Sequence, residues 1–230
     1  MTPELKQKIF YSEVINKLLC TTKVLAIYLG GSRLLGLDSP NSDYDIVVIT
    51  KDNTLNNYQR RPLHIDNLNI HLHIQSLKVA VPLIKYPKTL KGFETCLMLI
   101  DILECPEEMF LYKSKAFETL RESLKPYREP LIILCLETRL NGLYNKIHRP
   151  IVRFSKVHYH YLLTHFMLNN FLETKEFMLT YQQATILKAF KTTGTITPAF
   201  MDSLNNRYPH KYFTSKYTYE DIYKEVKLYE

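Results

Sequence analysis

No segment of the 230-residue chain reaches the roughly 18 consecutive apolar residues of a membrane span, and the N-terminus carries no long apolar run. The expectation is a cytoplasmic protein with no membrane partner. Cysteine is sparse: Cys20, Cys96, Cys105 and Cys135 stand far apart and form no C-x-x-C pair. That spacing argues against a zinc ribbon or a disulfide scaffold and for reduced thiols, mostly filling core space. The chain is not rich in glycine or proline, with 6 and 11 residues, and neither repeats nor a low-complexity linker is present, which excludes solenoids and fibrous arrays. What remains is a globular composition, 46% hydrophobic and 23% charged, with a formal net charge of +7. A basic balance of this size favours polyanionic partners such as nucleotides or RNA.

The apolar pattern divides the chain. Thr2-Pro3-Glu4 supplies a capping hydroxyl, a proline at the first helical position and a carboxylate near the positive helix end, so a helix is expected to about Leu19. Val24–Leu29 is a short apolar run closed by Gly30-Gly31 and reads as a buried strand. Residues 36–42 (GLDSPNS) are turn chemistry, and Asp43–Thr50 is β-branched and apolar, a second strand. Leu63–Leu77 reads as a hairpin turning near Asp66-Asn67, its second arm (NIHLHIQSL) alternating strictly. Beyond residue 90 the period becomes helical, with helices expected at Phe93–Leu103, Ala116–Leu124, Pro130–Ile147, Ser155–Leu172, Tyr181–Lys191 and Tyr219–Tyr229. The fold class is therefore α+β: a small mixed sheet of three to five strands with flanking helices, over residues 1–120, and a helical domain closing the cleft over 121–230.

Asp43 and Asp45 are two apart on a strand, so their side chains share a face while Tyr44 and Ile46 point away. Paired carboxylates repel unless a cation lies between them, and Mg²⁺ held by carboxylates together with substrate phosphates answers that need. A bare D-x-D is more often a polar strand start, or here Asp43 capping a turn. The context upstream sharpens it. Gly30-Gly31-Ser32 directly follows an apolar strand, where glycines let backbone N–H groups approach a triphosphate and Ser32 can donate to a phosphate oxygen. Strand, glycine-serine turn, loop and strand bearing D-x-D place a phosphate cradle beside a metal site, as phosphoryl chemistry with metal ions requires.

GGSRLLGLDSPNSDYDIVV resembles the G-S-R-x-x-G-x-x-x-x-x-S-D-Y-D stretch of the DNA polymerase beta-type nucleotidyltransferase superfamily. It is closest to the predicted nucleotidyltransferases associated with RNA-repair ligases of bacteria and phages. Residues 77–112 are similar to that group's leucine-lysine helix, proline turn, apolar helix and Pro-Glu-Glu segment. Residues 155–177 are similar to its later helix, with Lys156 and, four residues on, His160. The resemblance implies Asp43 and Asp45 as catalytic metal ligands. It also implies Gly31, Ser32, Arg33, Ser42, Lys156 and His160 as nucleotide-binding residues, with Mg²⁺ or Mn²⁺ as cofactor. It departs from the pattern at the third carboxylate, whose place falls on His71, a nitrogen donor better suited to Mn²⁺ than to Mg²⁺. Asp66 and Asp101 are the alternative third acids. Leu163 stands where the family commonly has arginine, and Tyr86 precedes Pro87 where asparagine is usual.

From Arg139 through Leu172 the chain contains no Asp or Glu but carries Arg139, Lys146, Arg149, Arg153, Lys156, His148, His158, His160 and His165. This run suits a triphosphate or an RNA backbone, with Tyr144, Phe154, Tyr159 and Tyr161 available to stack on bases, or else forms a solvated basic face. The expected function is metal-dependent transfer of a nucleoside monophosphate from an NTP to an acceptor hydroxyl on an RNA end, a small molecule or a protein. Arg33 or Lys156 would offset charge on the departing pyrophosphate. The alternatives are a catalytically weakened nucleotide or RNA sensor of the same fold and an antitoxin-like partner.

Overall fold

The computed structural model describes residues 1–39, 42–51, 58–65, 67–77, 98–147 and 154–193. Asp66, Tyr86-Pro87, Cys96, His148, Arg149, Arg153 and the helix expected at Tyr219–Tyr229 lie outside the described residues.

Helix α1 (Pro3–Phe10) opens as its sequence dictates, with the Thr2 hydroxyl accepting from the Leu5 amide at 3.3 Å. It does not continue to Leu19. The chain breaks at Tyr11-Ser12, where Ser12 turns extended (φ −61°, ψ 146°) and its Oγ donates to the Ile9 carbonyl at 2.7 Å. A second helix, α2 (Glu13–Thr21), follows. A serine competes for backbone hydrogen bonds, so it ends one helix and starts the next. The two short helices present Leu5, Ile9, Ile15 and Leu18 to one face of the sheet.

Strands β1 (Val24–Leu29), β2 (Tyr44–Thr50), β3 (Tyr58–Ile65), β4 (Leu68–Ser76) and β5 (Phe110–Lys113) form one sheet in the order β3-β4-β2-β1-β5. β2 and β4 are parallel and every other pairing is antiparallel, so the sheet is mixed, as expected. Strict alternation sorts its two faces. Ile27, Leu29, Ile46, Val48, Ile70, Leu72 and Ile74 pack under α1 and α2. Ala26, Tyr28, Val47 and Ile49 face the opposite way, against the helices of the second half. Each such aliphatic side chain withdrawn from water contributes about 1.5–3 kcal/mol.

The second half comprises the helical segment 98–104, α4 (Lys115–Leu124), α5 (Arg128–Ile147), α6 (Phe154–Thr174) and α7 (Tyr181–Thr193). A four-residue helix, α3 (Gly31–Leu34), follows β1. Arg128 grips Glu104 with both arms of its guanidinium at 2.5 and 2.8 Å, and Arg121 donates to the carbonyls of Leu103 and Cys105. These contacts fasten α4 and α5 to the segment 98–104. Within this helical layer α6 is apolar on nearly every side from Tyr161 to Phe171, which makes it the central helix.

The apolar cluster that covers β1 and β2 takes no residue from within β4. His71, His73 and Gln75 therefore lie on the helical side of the sheet yet stay partly exposed. On this side of β2 and β4 the structure gathers Asp43, Asp45, His71 and His73. No helix among the described residues is long and apolar enough to cross a membrane.

Candidate nucleotidyl-transfer site

The site is built from the turn upward. Gly31 opens α3 with φ +65°, and a Cβ placed on it would lie 2.2 Å from Asp45 Oδ2. Glycine is thus required there twice, once by the left-handed backbone and once by the carboxylate packed against it. The Gly30 amide donates to the Asp45 carbonyl at 2.7 Å, stitching the turn to β2. Ser32, on α3, is half-buried beside this turn.

Asp45 and His71 stand opposite each other across the parallel β2/β4 pair. The ligand atoms of Asp43, Asp45 and His71 all lie within 4.8 Å of one another. His71 Nδ1 sits 3.3 Å from Asp43 Oδ2, shut off from solvent and without a hydrogen bond. His73 Nε2 is 2.7 Å from Asp45 Oδ1. Two acids and an imidazole nitrogen in this compass can hold a divalent cation, with oxygen donors in the majority.

Arg33 occupies a different position from the one its motif suggests. Its Nε donates to the Asp43 carbonyl at 3.2 Å, one terminal nitrogen to Asp38 Oδ2 at 3.0 Å and the other to the Ser42 carbonyl at 2.7 Å. Its guanidinium also lies 3.7 Å from the centre of the Tyr44 ring. Arg33 clasps the loop that delivers Asp43. Ser42 takes part in the same loop, its Oγ accepting from the Ser39 amide at 2.9 Å.

Lys156 and His160 gather apart from this turn, on α6. Lys156 is exposed, and His160 Nδ1 lies 3.2 Å from an Arg139 guanidinium nitrogen. Burial pushes the His160 imidazole down to about 3, and the neighbouring Arg139, Lys156, Lys146 and Lys191 add to the effect. His160 is therefore neutral at physiological pH. Much of the cationic run is interior: Arg139, His158 and His165 are buried, Tyr161 is in the core, and Tyr159 stacks on Phe190. Tyr144 alone of these three tyrosines is exposed. Leu163, at the place of the family's arginine, is a core residue at 4% exposure.

Asp101, an alternative third acid, serves elsewhere. It accepts from the buried Tyr28 hydroxyl at 3.1 Å, and burial raises its carboxyl to about 7 against the opposing pull of Tyr28 and Arg139. Tyr28 in turn backs the glycine turn, its ring 3.8 Å from where a Gly30 Cβ would stand. The pairing of Tyr28 with Asp101 and the loop clasp of Arg33 on Asp38 were not legible from sequence, since neither spacing nor composition marks a long-range partner. His73 could be placed by the alternation of NIHLHIQSL, though not its contact with Asp45.

Residues 12–124 match the family model described as a nucleotidyltransferase domain. This supports the nucleotidyltransferase superfamily for the sheet and the turn. A crystal structure described as a nucleotidyltransferase-like protein from Exiguobacterium sibiricum 255-15 is similar at 11% identity and a TM-score of 0.38, over 98% of this chain and 72% of that one. No curated protein matches the chain.

Proposed function

We propose that the chain transfers a nucleoside monophosphate from an NTP to an acceptor hydroxyl. The observation that carries this reading is the packing of Asp45 against a left-handed Gly31, which sets a carboxylate pair beside a turn of backbone donors. In the reaction the acceptor hydroxyl gives up its proton to solvent as its oxygen bonds to the α-phosphorus, the bond from that phosphorus to the pyrophosphate oxygen breaks, and pyrophosphate leaves.

Asp43, Asp45 and His71 fit a divalent ion, because their ligand atoms lie within 4.8 Å of one another and the buried His71 Nδ1 makes no hydrogen bond. A bound Mg²⁺ or Mn²⁺ there would supply charge neutralisation of the triphosphate and polarisation of the phosphoryl group under attack. The amides around Gly31 and the Ser32 hydroxyl bind the β- and γ-phosphates. Ser42 and Arg33 act through the loop: held by Asp38 and by the carbonyls of Ser42 and Asp43, Arg33 sets the position of Asp43. The charge on departing pyrophosphate is then left to Lys156, with neutral His160 donating a hydrogen bond beside it. Residues 1–120 form the transfer core and residues 121–230 the helical domain that closes the cleft. The net charge of +7 favours an RNA end as acceptor over a neutral small molecule, which fits a role in RNA repair in the cytoplasm. A weakened, nucleotide-sensing version of this site is favoured by one observation, the imidazole of His71 in place of a third carboxylate.

Calorimetry with an NTP, with and without a divalent ion, tests the reading. Binding should need the ion, and Asp43→Asn or Asp45→Asn should abolish this metal-dependent binding while the fold persists, since removing a charge relieves repulsion. Equal NTP affinity with and without the ion would refute it.

A further inference from the structure

The two histidines of β4 are in unlike states. Both lie on the face of Asp45, because Ile70, Leu72 and Ile74 take the other face. His73 Nε2 meets Asp45 Oδ1 at 2.7 Å, a full hydrogen bond, and this fixes one carboxylate oxygen while the other stays against the Gly31 turn. His71 Nδ1 makes no hydrogen bond though it is sealed from solvent and 3.3 Å from Asp43 Oδ2. A buried imidazole nitrogen beside a carboxylate oxygen, with no hydrogen bond made, is poorly satisfied. It is better satisfied as a ligand to a metal shared with that carboxylate, and imidazole suits borderline transition ions where Mg²⁺ demands oxygen. A carboxylate held by a neighbouring imidazole is, conversely, the usual way in which a ligand is oriented from behind.

We propose that this pair makes the centre select a divalent transition ion such as Mn²⁺ or Co²⁺ over Mg²⁺, with His71 as a nitrogen ligand and His73 as the positioning residue for Asp45. The inference rests on the nucleotidyltransferase reading but concerns which ion the site prefers, so the two fail separately. If no divalent ion promotes NTP binding, the nucleotidyltransferase reading falls. If NTP binds equally well with either ion, only the selectivity falls.

The test is ion binding by the nucleotide-free, full-length protein, followed by calorimetry and by the Mn²⁺ electron paramagnetic resonance signal. Mn²⁺ should bind about tenfold or more tightly than Mg²⁺, and Co²⁺ should show the visible absorption of a site with a nitrogen ligand. His71→Asp should reduce the Mn²⁺ to Mg²⁺ affinity ratio by about tenfold. Should that variant fail to fold by circular dichroism, His71→Asn removes the same nitrogen ligand and must lower the ratio too. His73→Ala should weaken Mn²⁺ binding by about 10–100-fold, whereas His73→Gln, which keeps a donor toward Asp45, should recover most of that loss. Equal affinities in the wild type, or an unchanged ratio in the His71 variants, would overturn the ligand assignment. Undiminished Mn²⁺ affinity in His73→Ala would overturn the positioning role.

Discussion

Asp101 and His160 lie in one buried polar group with Tyr28 and Arg139, and their titrations oppose each other. Burial lifts the Asp101 carboxyl from its ordinary 3.8 to about 7, chiefly by desolvation. An acid raised in the folded state contributes stability that is full below its unfolded value and is lost as pH climbs through the folded one. His160 moves the other way, from 6.5 to about 3, again chiefly by desolvation and then by the surrounding cations. A base depressed in the folded state contributes stability that is full above 6.5 and is lost as pH falls toward 3. Between pH 4 and 6.5 both groups act at once, with slopes of opposite sign and about 1.4 kcal/mol per pH unit each.

Those slopes nearly cancel in the wild type, and removing one partner uncovers the other. Asp101→Asn keeps a hydrogen-bonding group for Tyr28 but cannot titrate, so stability should rise by about 3 kcal/mol from pH 4 to 6.5 relative to the wild-type profile. His160→Gln should do the reverse, with stability falling by about 3 kcal/mol over the same range as Asp101 is forced to ionise. The double variant should return to the flat wild-type profile. The chain has no tryptophan, so urea unfolding at several pH values is best followed by far-ultraviolet circular dichroism. Single variants whose profiles run parallel to the wild type would show that neither group is held away from its solution behaviour, and the opposing-pair argument would fail.

The turn and the cationic helix offer two further checks. Gly31→Ala forces a side chain into a left-handed backbone 2.2 Å from Asp45 Oδ2; it should cost about 1–3 kcal/mol of stability and remove divalent-dependent NTP binding. A variant that binds NTP like the wild type would mean the turn is not part of the site. Lys156→Ala should weaken NTP binding by about 1–3 kcal/mol, the range for a lost charged hydrogen bond, and leave RNA affinity and its salt slope unchanged. If RNA affinity drops and the salt slope falls by about one unit instead, Lys156 tracks a polynucleotide; a variant silent in both assays is a solvated lysine.

What the sequence makes legible here follows from which interactions are local. The sheet faces could be read off alternation, because a strand has a period of two and the apolar members of β1, β2 and β4 must all reach a core. For the same reason Asp43 and Asp45 could be brought to one face in advance, the resemblance added His71, and the structure holds the three together. The short strand β5 could not, since FLYK has no alternation long enough to mark it and it exists by pairing with β1 across the sheet. The break at Ser12 escaped for the opposite reason, a single side-chain bond to Ile9 outweighing a continuous helical period. The cationic run misled most. Counting charges between Arg139 and Leu172 suggested one basic surface, but α6 is buried on nearly all sides, so His158 and His165 became interior groups. Charge density along a sequence reports a surface only where the helix has one polar face to present. At α6 the cationic residues left at the surface among the described ones are Lys156 and, in part, His160.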